Sequence, residues 1–177
     1  MIKKIFNFIF RDCIIHVVNL LTSILPNSYI TTKIRGMLIK PFLGKCGKNF
    51  RIASGVIINK PENIEIGNDV YIAHNVWINA IGKLKIDSES VIGPMCVLST
   101  SKHKFKNGKA TNEGVFRPIN IGEGTWLASH VVVTDGVNIG KGVLVAAGAV
   151  VTHDIKDGAF IGGIPAKEIN RRKEGLK

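Results

Sequence analysis

From Ile121 to Lys156 the sequence repeats every six residues: IGEGTW, LASHVV, VTDGVN, IGKGVL, VAAGAV, VTHDIK. Each unit opens on an aliphatic residue (Ile121, Leu127, Val133, Ile139, Val145, Val151), follows it with a small or short one, and carries a small or branched residue in fifth place. A period of six fits neither an amphipathic helix nor the two-residue alternation of a hairpin. Six consecutive units in register describe a parallel β-helix: three hexapeptides make one coil, the openers point inward and stack, and the small second residue lets the backbone turn. Earlier openers fall at Ile52, Ile58 and Ile64, at Ile66, Ile72, Ile78 and Leu84, and at Ile86, Ile92 and Leu98. The blocks are offset by two residues, as if a corner carried a short insertion. At eighteen residues per turn the repeats predict roughly five coils.

The one large break separates Leu98 from Ile121, a step of 23 residues. No six-residue register accommodates it, so residues 99–120, with SKHKFKNGKATNEG among them, are expected to leave the coil as a polar, basic loop. Loops thrown from a rigid repeat scaffold are where chemistry tends to be placed. The chain then divides into an N-terminal helical segment (1–43), a β-helix (44–162) interrupted by loop 99–120, and a basic tail (163–177). Helices and tail are available to cover the sheet edges at the two ends of the solenoid.

The net charge of +11 is unevenly placed. Residues 1–51 hold nine Lys/Arg against Asp12 alone, and residues 167–177 hold five against two acids. The stretch between is neutral, yet Lys102, Lys104, Lys106, Lys109 and Arg117 crowd one segment, opposed locally only by Glu113. Such ends suit phosphate-bearing ligands or an anionic membrane surface. No nucleic-acid motif accompanies the charge, so nucleic acid is not an expected partner. Cys13, Cys46 and Cys96 lack C-x-x-C spacing, which points to a reducing, cytoplasmic setting rather than a disulfide frame or zinc knuckle. Cys96 takes the fifth place of a repeat and reads as a small core residue.

Phe6, Ile9, Phe10, Cys13, Ile14, Val17, Val18, Leu21 and Leu25 recur at three- and four-residue spacing, the pattern of an amphipathic helix. Pro26 and Asn27 stop it, and a second short helix is expected over residues 31–43. Arg11, Asp12, His16 and Asn19 interrupt the apolar stretch and no small-residue cleavage site follows, which argues against a secretory signal. The run over residues 13–25 is too short and too polar to span a bilayer. Two placements are open for these helices. They pack on an end of the solenoid or on a neighbouring subunit, or, with Lys3, Lys4, Arg11, Lys33, Arg35 and Lys40 nearby, they lie shallowly in a membrane surface.

Among five histidines, His16 falls in the first helix, and His74, His130 and His153 take outward repeat positions where surface histidine is ordinary. His103 differs, because it opens the protruding loop directly after a coil strand. A neutral imidazole there can take a proton from an attacking hydroxyl. Nucleophile elbow, phosphate loop and dinucleotide fingerprint are all missing. A metal site would require His74, His103 and His130 to meet between subunits, which their spacing does not demand, and no metal is expected.

LSTSKH (98–103), WLASH (126–130), VAAGA (145–149), VTHDI (151–155) and GIPAK (163–167) together resemble the hexapeptide-repeat acyltransferases. The match is to the galactoside and maltose acetyltransferase branch and its relatives in surface-polysaccharide clusters, over about residues 44–172. The resemblance implies an all-β fold, a left-handed parallel β-helix, assembled as a homotrimer with active sites in the clefts between subunits. It implies acetyl-CoA as donor, extended along the coils with its pantetheine amides near Ser129 and Ala147. His103 becomes the general base, Asn75 the asparagine that contacts acceptor and intermediate, and Trp126 the wall of the acetyl pocket. Backbone N–H groups including that of Ser129 stabilise the oxyanion, and Lys167, Arg171 and Arg172 meet the coenzyme phosphates.

Three departures stand out. Lys104 follows the histidine where relatives often have Pro or Asp, which leaves the partner that orients His103 unidentified, with Glu113 one candidate. His153 replaces the usual lysine of V-T-K-D. The basic helices replace the N-terminal domain with which sugar acetyltransferases grip their acceptor. The expected function is O-acetylation of a sugar in a bacterial surface polysaccharide or its precursor, at a cytoplasmic site that can include the inner-membrane surface. N-acetylation of an amino-sugar nucleotide is the enzymatic alternative. A non-catalytic scaffold of the ice-binding kind would carry flat threonine ladders, which are absent.

Overall fold

A computed structural model of the chain describes residues 13–169. Six coils wind in sequence. The first holds β1 (Lys45–Cys46), β2 (Arg51–Ile52) and β3 (Ile57–Asn59). The second holds β4 (Ile64–Ile66), β5 (Tyr71–Ile72) and β6 (Trp77–Asn79), and the third β7 (Leu84–Ile86), β8 (Val91–Ile92) and β9 (Val97–Ser99). A hairpin, β10 (Ser101–Lys106) and β11 (Lys109–Phe116), then leaves the solenoid. The fourth coil resumes with β12 (Ile119–Ile121), β13 (Trp126–Leu127) and β14 (Val132–Val133), and the fifth is β15 (Asn138–Ile139), β16 (Leu144–Val145) and β17 (Val150–Val151). The sixth is abbreviated to a bridge at Ile155 and β18 (Phe160–Gly162), against which β19 (Lys167–Glu168) turns back antiparallel. The sequence count of about five fell short because β1 lacks an aliphatic opener and the last coil keeps only part of its repeat.

Parallel pairing stacks the strands into three faces: β1-β4-β7-β12-β15, β2-β5-β8-β13-β16-β18, and β3-β6-β9-β14-β17, here faces 1, 2 and 3. The repeat openers meet in register. Ile72 stacks between Ile52 and Ile92, Leu127 between Ile92 and Val145, and Leu98 between Ile78 and Val133. These side chains are buried, and the interior is a column of aliphatic groups. Cys96 belongs to it, and burial pushes its thiol up to about 11.

The register slips all occur at one corner, between faces 3 and 1. Ile58 to Ile66 and Ile78 to Ile86 are steps of eight, Leu98 to Ile121 is the step of 23, and Val133 to Ile139 returns to six. The hairpin therefore grows from an edge of the prism that already tolerates insertions. Its root is stapled by Thr100, which is fully buried. Thr100 Oγ1 donates to Asn79 O (2.7 Å) and accepts from Gly82 N (2.8 Å), while Thr100 O accepts from Arg117 N (3.0 Å).

At the N-terminal end lie α1 (Ile14–Thr22) and α2 (Tyr29–Ile39), the latter opened by a capping box between Ser28 and Thr31. The earlier part of the apolar pattern (Phe6, Ile9, Phe10), with Lys3, Lys4 and Arg11, lies outside the described residues. Helix α2 seats on the first coil through Gly36, where a Cβ would stand 2.1 Å from Phe50 O. Arg35 does not face a membrane or solvent: it is fully buried. Its guanidinium donates to Thr22 Oγ1, Thr22 O, Leu25 O and Asn27 Oδ1 at 2.7–3.1 Å. Asn27 Oδ1 also accepts from Ser54 N, tying the interhelical turn to the solenoid. Helix α1 buries Ile15 and Thr22, whereas Val17, Leu20, Leu21 and Ile24 beside it are exposed. Among the described residues no helix is long and apolar enough to cross a membrane.

Candidate active site

The expected loop is an ordered two-stranded ribbon. Asn107 and Gly108 both take positive φ (52° and 73°), the two-residue turn that Asn-Gly favours because its twist matches that of the strands. His103 stands on β10 opposite Gly114, and pairing slips between His103 and Phe105. The slip brings His103 Nδ1 to 2.9 Å from the carbonyl oxygen of Thr111. A carbonyl only accepts, so Nδ1 carries the proton and the exposed ring presents the Nε2 lone pair outward.

Glu113 has a different task. It pairs with Lys106 Nζ at 2.7 Å and Lys104 Nζ at 3.3 Å, and these two hydrogen bonds hold its carboxyl below the usual carboxylate range. The group that orients His103 is thus the Thr111 carbonyl, not Glu113. Lys102 and Arg117 are also not unopposed. Asp135, from the corner of the fourth coil, takes Arg117 Nε at 2.8 Å and stands 3.7 Å from Lys102 Nζ.

A second group gathers at the corner between faces 2 and 3. Asn75 turns this corner in the second coil with φ 58°, its amide donating to Ser54 O and its side chain lying over Gly55. Two coils on, Ser129 occupies the same corner, and Ala147 follows in the fifth coil. Gly148 N donates to Ser129 O at 2.9 Å, linking the two turns. Among the described residues the backbone N–H groups of Ser129 and Ala147 have no acceptor, and neither does the Ala147 carbonyl have a donor. Trp126 projects outward from face 2, 51% exposed, above Leu144 and Phe160 in the next two coils, and Lys167 on β19 is exposed at the end of that face. Arg171 and Arg172 lie outside the described residues.

His103 therefore leaves the edge between faces 3 and 1, while Asn75, Ser129 and Ala147 line the edge between faces 2 and 3. No hydrogen bond joins the two groups within the described chain. His74, His130 and His153 are exposed, and among the described residues no cluster of three or more His, Cys, Asp or Glu side chains converges on a metal position. The arrangement offers a proton acceptor on the hairpin and a row of free peptide groups along an apolar face. That combination suits transfer of an acyl group between an extended thioester and a hydroxyl.

Residues 118–153 match the family model described as bacterial transferase hexapeptide (six repeats). The galactoside O-acetyltransferase of Escherichia coli (strain K12) is 32% identical over 142 residues, covering 78% of this chain and 70% of that protein. The putative colanic acid biosynthesis acetyltransferase WcaF of the same organism is 33% identical over 140 residues, 79% of this chain and 76% of its own length. A solved galactoside acetyltransferase in complex with coenzyme A superposes with a TM-score of 0.77 at 26% identity, over 90% of this chain and 80% of that one.

Proposed function

Because this chain belongs to the hexapeptide-repeat acetyltransferases, of which a galactoside acetyltransferase has been solved with coenzyme A, we propose that it uses acetyl-CoA to acetylate a hydroxyl of a sugar in a bacterial surface polysaccharide or its precursor. The names of the two curated relatives support this acceptor class, one acting on galactosides and the other assigned to colanic acid biosynthesis. The observation that carries the chemistry is the contact between His103 Nδ1 and Thr111 O at 2.9 Å. It fixes the tautomer in which Nε2 accepts a proton, as a general base for a sugar hydroxyl requires.

His103 Nε2 removes the hydroxyl proton as the oxygen attacks, and returns it to the departing thiolate. The N–H of Ser129 points its dipole at the oxyanion that forms between these two transfers. Acetyl-CoA supplies the activated carbonyl. Face 2 below Trp126, the free peptide groups of Ala147 and the cation of Lys167 are the groups that would hold its pantetheine and phosphates. Asn75 would position the acceptor. Trp126 closes the pocket against water, which would otherwise hydrolyse the thioester.

The working unit in this reading is a homotrimer. Outward residues on face 2 (Arg51, Tyr71, Val91, Trp126, Leu144, Phe160) and face 3 (Ile57, Trp77, Val97, Val132 and Val150, with Asn59, Asn79 and Ser99 beside them) are more apolar than those of face 1 (Glu65, Lys85, Asn120, Asn138). Two unlike apolar faces meeting at one edge of a prism suit a heterologous contact, which in this reading closes as a ring of three. The hairpin tip adds Phe105, 74% exposed. In this reading the hairpin of one copy lies against the Asn75–Ser129 edge of the next.

The exposed apolar residues of α1 and α2, with Lys33 and Lys40 beside them, support peripheral attachment to the cytoplasmic face of an anionic membrane. His103→Ala is expected to lower turnover by about 10²–10⁴-fold, with acetyl-CoA binding unchanged by calorimetry. Near-full turnover of a verified acceptor by that variant contradicts the assignment.

A further inference from the structure

Beneath the root of the hairpin, on the outer side of face 3, a pocket of about 460 Å³ is lined by Ser99, Ser101, Lys102, Arg117, Thr134 and Thr152 among others. Asp135 forms part of its wall, with a side chain only 6% exposed. One carboxylate there faces two cations, at 2.8 Å from Arg117 Nε and 3.7 Å from Lys102 Nζ, so the pocket keeps an excess of positive charge. Both cations are about half exposed, at 52% and 51%. Arg117 meets the acid through Nε, and among the described residues its two terminal nitrogens have no acceptor. Its stem lies across Gly136, where a Cβ would come within 3.2 Å of Arg117 Cδ, so the absence of a side chain at 136 makes room for the arginine.

A planar guanidinium with two free terminal nitrogens, next to an ammonium and several hydroxyls, matches the oxygens of a carboxylate or phosphate. Asp135 holds both cations in place. The pocket is also close to the proposed base: Ser101 in its lining precedes His103 by two residues on an extended strand, roughly 7 Å at the rise of a β-strand. That is the span of one sugar ring with its substituents.

We infer that the acceptor is an acidic sugar: Arg117 and Lys102 grip a carboxylate or phosphate on the acetylated residue or its immediate neighbour while the hydroxyl stands before His103. The inference rests on the O-acetyltransfer reading and narrows its acceptor. Lys102 and Arg117 are specificity-determining residues here, and Asp135 is a positioning residue.

Steady-state kinetics at saturating acetyl-CoA test it with three probes: a neutral aryl hexoside, the matching aryl hexuronide, and the hexose 1-phosphate. The expected KM for at least one anionic probe is lower than for the neutral one by roughly tenfold, the scale of a charge-assisted hydrogen bond. Preference for the hexuronide identifies a carboxylate as the group held, and preference for the hexose phosphate identifies a phosphate. Arg117→Ala removes the preference, so that the anionic and neutral probes converge on one KM.

Asp135→Asn separates binding from mere anchoring. The substitution leaves an amide oxygen to accept from Arg117 Nε while it removes the negative charge, so KM for the preferred probe falls further. A cluster that only fastens the hairpin loses turnover on all three probes alike in this variant, which overturns the inference. It is also overturned if wild-type KM values do not distinguish charged from neutral probes, or if the variants raise KM for acetyl-CoA instead. Calorimetry of free hexuronate and hexose 1-phosphate against neutral hexose, with coenzyme A present, decides the same question without turnover. Absence of acetyl transfer to every probe would count against the O-acetyltransferase reading, while the binding preference still accepts or rejects the acidic acceptor.

Discussion

A backbone carbonyl, Thr111 O, sets the tautomer of His103. Side-chain substitution cannot delete such an acceptor, and the nearby carboxylate is committed to Lys104 and Lys106. Glu113→Gln is therefore expected to keep kcat within about fivefold of wild type, the span of an exposed ion pair. A hundredfold loss, measured with the same acceptor as His103→Ala, would return the orienting role to the carboxylate. His103 itself was legible from its position, directly after a coil strand at the large break in the repeat. Thr111 was not, because its carbonyl reaches the ring only through a pairing slip that no residue identity announces. Asp135 was missed for a related reason: it is 18 residues from Arg117 in sequence and becomes its neighbour only when one coil stacks on the next.

The hairpin and the helical cap show what patterning conveys about single elements. Asn107-Gly108 carries a recognised turn signal, but the polar sequence around it reads as a loop because the ribbon stands free of the core and needs no apolar alternation. The helices were legible from their spacing and from Pro26. Arg35 was not: its charge suggested a surface, whereas it donates to the carbonyls of Thr22 and Leu25 where α1 ends. Arg35→Met is expected to cost about 2–4 kcal/mol, since it removes four hydrogen bonds from a buried guanidinium. Urea unfolding measures this, and a loss below 0.5 kcal/mol, the size of an ordinary surface change, contradicts that role. The outer side of the same element pair faces a different test. Leu20→Glu with Ile24→Glu alters residues 72% and 86% exposed and is expected to abolish co-sedimentation with anionic vesicles without lowering the melting temperature. Intact protein that stays in the supernatant at low salt contradicts membrane attachment.

At the scale of the whole molecule, the six-residue period made the solenoid, its inward openers and its three faces readable before any coordinates. The period was silent on which edge collects the insertions, because a slip of two looks the same at every corner of a prism. With the strands in place, every slip falls between faces 3 and 1, and Asn75, Ser129 and Ala147 fall on the other edge of face 3. The separation of those edges leads to the central claim, that one active site takes His103 from one copy and Asn75 with Ser129 from its neighbour. Mixed oligomers test it directly. His103→Ala and Asn75→Ala chains, each inactive alone, are co-expressed with different tags and the doubly tagged species is assayed for acetyl transfer. Shared sites predict recovery of about a third of wild-type activity in the doubly tagged trimers, because in each of them one interface of the three brings an intact His103 to an intact Asn75. Sites built within single chains leave every mixture as inactive as its parents, and that result would contradict the account.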